Sequence, residues 1–237
     1  MSETVLSLKD VNGWYGESHV LHGVNLDIRR GEVVSLIGRN GAGRTTILRA
    51  IMGLLERRTG RIEVKNVDMS VAPPHRLARA GLGYCPEERG IFATLTCEEN
   101  LLLPPVTRAD SGMMMPLSEI YEMFPNLAER AESPGTRLSG GEQQMLAIAR
   151  ILRTGADILL LDEISEGLAP VIVQTLGRVI QMLKARGFTI LMVEQNFRFA
   201  APLADRFFIV EHGRVVNVVQ QSELAERMDE IRMFLGV

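Results

Sequence analysis

Gly38-Arg39-Asn40-Gly41-Ala42-Gly43-Arg44-Thr45 sets three glycines, a basic residue and a hydroxyl residue at the spacing of a phosphate-binding loop. Glycines let successive backbone N–H groups turn inward as an anion nest, and a following helix adds its positive end. The Thr45 hydroxyl then suits a magnesium ion, with Thr46 beside it in the first helical turn. The ligand class this names is a nucleoside triphosphate with Mg2+. One letter departs from the pattern, because Arg44 stands where lysine is expected.

Two further strings carry chemistry. Ile158-Leu159-Leu160-Leu161-Asp162-Glu163 is an apolar run ending in two carboxylates. A phosphate-loop enzyme needs a buried strand that delivers one acid towards magnesium, which suits Asp162. Glu163, one residue on, is placed to orient and deprotonate an attacking water. Leu138-Ser139-Gly140-Gly141-Glu142-Gln143-Gln144 reads as a helix start, with Ser139 and Glu142 forming a capping box. Two glycines in a first turn cost roughly 1 kcal/mol each against alanine. They make sense if a phosphate must approach the exposed N–H groups closely.

The elements that must position these residues follow from periodicity. Glu32–Ile37 is a short β-branched run, and Thr45–Met52 carries apolar residues at helical spacing, so the loop sits between strand and helix. Val5–Leu8 and Val24–Ile28 alternate as half-buried strands around Gly13-Trp14-Tyr15-Gly16, which reads as a turn. Short strands follow near Arg61–Val67 and Gly81–Cys85. From Thr96 to about Arg153 helical segments are broken by prolines, with a second capping box at Thr96 and Glu99. Strand texture resumes at Ile158–Leu161 and Thr189–Val193, a hairpin turns at His212-Gly213, and a helix is expected from Ser222. The fold class is α/β: a P-loop NTPase core with an antiparallel β subdomain and a helical insertion, one domain over residues 1–237 with a helical lobe around 90–155.

Composition bounds the function. The 237 residues carry a net charge of −3 and 46% hydrophobic residues, with a pI near 5.9. That charge argues against nucleic acid as the main partner. Cys85 and Cys97 are too few for a disulfide framework and fit a reducing compartment. No apolar run approaches a bilayer span, and Met1–Asp10 lacks a signal-peptide pattern. Of 26 basic residues only Lys9, Lys65 and Lys184 are lysines, so an arginine at position 44 follows a chain-wide bias.

Taken together, the phosphate loop, the Asp162-Glu163 pair and the Leu138–Gln144 string resemble the ABC-transporter ATPases over essentially the whole chain. The resemblance implies a head-to-tail dimer in which Ser139, Gly140, Gly141 and Glu142 of one subunit cover the ATP held by the loop of the other. It implies that Tyr15 stacks on adenine. Glu87 stands at the position of the Q-loop glutamine, which senses magnesium and the transmembrane partner, and Gln195 at that of the switch histidine contacting the γ-phosphate. With Leu168-Ala169-Pro170 and Val193-Glu194-Gln195-Asn196, these two departures are similar to one branch, the smaller ATPase of branched-chain amino-acid importers, whose relatives also carry urea and amides. Ile164 departs even there, standing where proline is usual.

That branch implies an ATP-hydrolysing subunit that energises an importer from the cytoplasmic face of the inner or plasma membrane. Its partners are a second ABC ATPase, like or unlike, permease chains and, indirectly, a secreted solute-binding protein. The alternative is an ATP-binding but hydrolysis-impaired subunit, because the arginine fork is wider than an ammonium and a misplacement of about 1 Å can cost on the order of a hundredfold in rate. Arg44 is therefore expected to leave ATP binding weakened but present and to reduce hydrolysis strongly.

Overall fold

The computed structural model describes residues 3–108 and 111–235. Two sheets organise the chain. The first is antiparallel, in the order β2-β1-β4-β5, built from β1 (Thr4–Tyr15), β2 (Ser18–Arg29), β4 (Arg57–Val64) and β5 (Val67–Asp68). The second has the order β10-β9-β3-β8-β7-β6, from β3 (Val33–Ile37), β6 (Leu82–Cys85), β7 (Ile158–Asp162), β8 (Thr189–Val193), β9 (Arg206–Glu211) and β10 (Arg214–Gln220). Its strands β9, β3, β8, β7 and β6 run parallel, and β10 closes the edge antiparallel.

β3, β7 and β8 are buried at every position. Strand residues alternate between faces, and here the alternation divides two cores. Val34, Leu36, Leu160, Leu191 and Val193 face the antiparallel sheet and α1 (Arg44–Ile51). Val33, Ile37, Leu159, Leu161, Ile190 and Met192 face the other way, onto α6 (Gly140–Leu152) and α7 (Pro170–Ala185). The helix α2 (Pro74–Ala80) leads into β6, and α3 (Cys97–Leu102), α4 (Leu117–Met123), α5 (Pro125–Glu129) and α6 fill the chain between β6 and β7. After β8 come α8 (Phe197–Ala200) and, past β10, α9 (Met228–Leu235).

Some local expectations need correction. Gly13, Trp14 and Tyr15 lie inside β1, because Trp14 pairs with His19 and Tyr15 with Ser18 across the hairpin, which turns only at Gly16-Glu17. At the C-terminal end a 3-10 turn occupies Gln221–Glu223, and the helix begins later, at Met228. Both capping boxes form as read, at Thr96/Glu99 and at Ser139/Glu142.

Candidate functional site

Four adjacent parallel strands, β3, β8, β7 and β6, end on one side of the sheet. Ligands of open α/β sheets bind beyond those carboxyl ends. β3 delivers the Gly38–Thr45 loop, β8 delivers Glu194-Gln195, β7 delivers Asp162-Glu163, and β6 delivers Pro86-Glu87. Residues scattered over some 150 positions thus meet because the strand order places their ends side by side.

The loop is held from below. Gly38 adopts φ 153°, and a β-carbon there would collide with the Val210 carbonyl of β9. Gly43 adopts φ 103° and caps α1, with the Gly213 Cα 3.2 Å from where its β-carbon would stand. Gly38 and Ala42 are buried, whereas Arg39, Asn40 and Gly41 are exposed. Among the described residues, the N–H groups of Gly41, Gly43, Arg44, Thr45 and Thr46 have no protein acceptor. These donors are what an anion at a helix N-terminus requires. They border a cleft of about 410 Å³ lined by Val20, Asn40, Gly41, Gly43, Arg44, Thr45, Thr46, Glu87, Glu163 and Glu166.

Asp162 lies on the same face of β7 as Leu160, towards α1. Its Oδ1 accepts from the Thr45 hydroxyl at 2.9 Å, and its Oδ2 accepts from the Tyr84 hydroxyl at 3.1 Å. Burial raises its proton affinity, and the Thr45 and Tyr84 hydrogen bonds oppose that. A hydroxyl and a fixed carboxylate beside an oxygen-rich ligand suit a hard divalent cation, so these residues fit Mg2+. Glu87 is exposed and reaches the same cleft.

Glu163 departs from β7 in the left-handed region, φ 47°, with its N–H donating to the Val193 carbonyl at 2.9 Å. Burial and the adjacent Glu166 carboxyl raise its proton affinity, and the Arg44 guanidinium opposes them. Arg44 is buried, 4% exposed, and does not reach out alone into the cleft. Its Nη1 donates to the Glu194 carbonyl at 3.0 Å, and its Nη2 donates both to Asn40 Oδ1 at 3.1 Å and to Glu163 Oε1 at 3.0 Å. The Glu194 carboxyl beneath is pushed up to about 7 by burial. The Ser165 hydroxyl and N–H, Arg44 and the Ile164 N–H pull against that rise. A proline at position 164 could not supply that last donor, so the Ile164 departure has a local structural partner, and its side chain is fully buried.

The other expected residues lie apart from this cleft. Gln195 lines a neighbouring groove of about 1020 Å³ that shares Glu163 and Glu166 with it. Tyr15 is 38% exposed at the end of β1, beside the Arg49 guanidinium that also faces Tyr84. Ser139, Gly140, Gly141 and Glu142 start α6 in neither cavity. Gly141 has a packing reason of its own: a β-carbon there would lie 2.9 Å from two Ile172 side-chain carbons of α7. Gly140 instead faces the Arg89 guanidinium, which donates to Gln143 Oε1 at 3.1 Å. The need for close approach at the signature is thus divided, one glycine facing the protein's own helix.

Tyr84, Glu166 and Glu194 escaped the sequence reading. Tyr84 carried a usable signal, since β6 pairs Tyr84 with Leu160, and strand alternation puts both on the Asp162 face.

Residues 21–166 match the ABC transporter family, more than half of the chain. The chain belongs to the ABC transporter family. This ABC ATPase is 39% identical over 212 residues to the high-affinity branched-chain amino acid transport ATP-binding protein BraG of Pseudomonas aeruginosa, covering 90% of this chain and 91% of that one. It is 31% identical to a probable branched-chain amino acid transport ATP-binding protein, LivF, of Archaeoglobus fulgidus, covering 96% and 97%. The lipopolysaccharide export system ATP-binding protein LptB of Escherichia coli K12 is 32% identical, covering 98% and 97%. Among solved structures, an ATP-binding subunit of an ABC transporter superposes with a TM-score of 0.82 at 28% identity, covering 99% and 100%. A dimeric ATP-binding cassette in a post-hydrolysis state with ADP and Pi reaches 0.79 at 25%, covering 91% and 98%. The chain is therefore an ATP-binding ABC ATPase with the cassette fold.

Proposed function

We propose that this ABC ATPase energises an importer of branched-chain amino acids or of related amides. The observation that carries the hydrolytic part is one cleft in which unpaired loop N–H groups stand beside Thr45 and Glu163, with Asp162 buried behind Thr45 and accepting from its hydroxyl. The loop N–H groups hold the phosphates, with Arg39, Asn40 and Ala42 shaping the loop and Thr46 closing its first helical turn. Thr45 and Asp162, with Glu87 at the edge, hold Mg2+, which when bound neutralises developing charge on the phosphate oxygens. Glu163 takes a proton from water as its oxygen bonds to the γ-phosphorus and the bond to the ADP oxygen breaks. Gln195 donates a hydrogen bond to the γ-phosphate without titrating. Tyr15 stacks on adenine, and Ser139 to Glu142 of a second ABC ATPase close the site.

Import rather than export rests on the greater identity to BraG than to LptB. No helix of the described residues is long and apolar enough to cross a membrane, so permease chains supply the channel. A largely apolar groove of about 450 Å³ beside Pro86, lined by Leu54, Pro104, Pro105 and Arg150, suits a permease segment. On this reading the chain works at the cytoplasmic face of the membrane, with a secreted solute-binding protein feeding the permease. Cells lacking this chain should lose uptake of labelled leucine, isoleucine and valine. Unchanged uptake with impaired outward lipid transport would overturn the importer reading.

A second reading has its own observation. Because Arg44 is engaged by Glu163, the chain binds ATP yet hydrolyses it poorly beside a more active partner. Under this reading the partner's site drives transport.

A further inference from the structure

We propose that the Arg44–Glu163 ion pair is an intramolecular latch that competes with the triphosphate for the same guanidinium and restrains Glu163 from the attacking water until nucleotide draws Arg44 away. The inference rests on the reading of the 410 Å³ cleft as the nucleotide site.

A guanidinium offers five N–H donors in a fixed planar fork. Both hydrogens of Nη2 are committed, one to Asn40 Oδ1 and one to Glu163 Oε1, and Nη1 is anchored on the Glu194 carbonyl. These three acceptors lie on the phosphate loop, the end of β7 and the end of β8. Arg44 therefore ties together the three segments that must reorganise around a phosphate. The pair is desolvated, with side-chain exposures of 4% and 12%. A desolvated charge that loses its partner is costly to leave alone, so the guanidinium cannot leave Glu163 unless another anion receives it. A triphosphate is such an anion, and it arrives at the same loop. A lysine ammonium has no fork with which to hold Asn40 and the β7 acid in one plane. Arg44 is thus a positioning residue for Glu163, and Asn40 completes its seat.

A double-mutant cycle tests this. Equilibrium binding of a non-hydrolysable ATP analogue is measured for the natural chain, Arg44→Lys, Glu163→Gln and the double variant, with melting temperatures of all four in the absence of nucleotide. Glu163→Gln should tighten analogue binding about tenfold in the arginine background and by less than about twofold in the lysine background, the size of coupling expected between contacting charged residues. It should also lower the melting temperature only where Arg44 is present. Equal tightening in both backgrounds would reduce the effect to general charge removal and overturn the latch. Absence of binding in all four would overturn the cleft assignment itself. Asn40→Ala, at an exposed loop position, gives a second arm. It should tighten binding in the same direction, and unchanged affinity in both Asn40→Ala and Glu163→Gln overturns the proposal.

Discussion

Asp162, the proposed magnesium ligand, shows how a single side chain can be held ready for a cation. It is buried, yet two hydroxyls point at its two oxygens, so its orientation is fixed before any cation arrives. Removing the Tyr84 hydroxyl should loosen that orientation. Tyr84→Phe is expected to raise the Mg2+ concentration that gives half-maximal turnover by about 10- to 100-fold, as loss of an outer partner of a metal ligand does. Titrating activity against Mg2+ checks it, and an unchanged half-saturating concentration would contradict it. Glu194 supplies a pH effect with a definite sign. Its folded-state proton affinity is raised, to about 7, by burial. The folded state therefore binds the proton more tightly than the unfolded chain, and this contribution to stability is fully present below about 4.5. It is lost as pH rises through 7. Glu194→Gln should flatten the fall in melting temperature between those values, and a parallel fall in both proteins would contradict the assignment.

At the scale of elements, strands and helices were legible and long-range partners were not. β3, β7 and β8 announced themselves as short apolar runs, and both capping boxes lay in local spacing. The Arg44–Glu163 contact spans 119 positions and the Tyr84–Asp162 contact 78, and no local period encodes either. Trp14-Tyr15 misled because glycines on both sides suggest a turn, while cross-strand pairing with Ser18 and His19 carries β1 through them. Gly141 holds a second reason that no motif shows: a glycine approached by a ligand and one packed against a neighbouring helix look alike in a sequence, and the Ile172 side chain supplies the packing reason here. Gly141→Ala should then push α6 from α7 and destabilise the fold by about 1–3 kcal/mol, as overpacking does. Chemical denaturation measures this, and unaltered stability would contradict the contact.

At the scale of the whole molecule, the Ser139–Glu142 start of α6 lines neither the phosphate-loop cleft nor the groove beside it. A site that needs both needs two chains, in keeping with the dimeric cassette among the similar structures. With ATP, Glu163→Gln should accumulate as a species of doubled mass in light scattering, and Ser139→Arg should prevent it. The claim on which everything else depends is that Glu163, across the cleft from the loop, drives hydrolysis. Single-turnover cleavage of Mg-ATP by the purified chain beside Glu163→Gln tests that most directly. The variant should bind ATP and cleave it at least about 100-fold more slowly, the scale of a lost general base. Equal rates would contradict it and leave an ATP-binding subunit whose partner does the work.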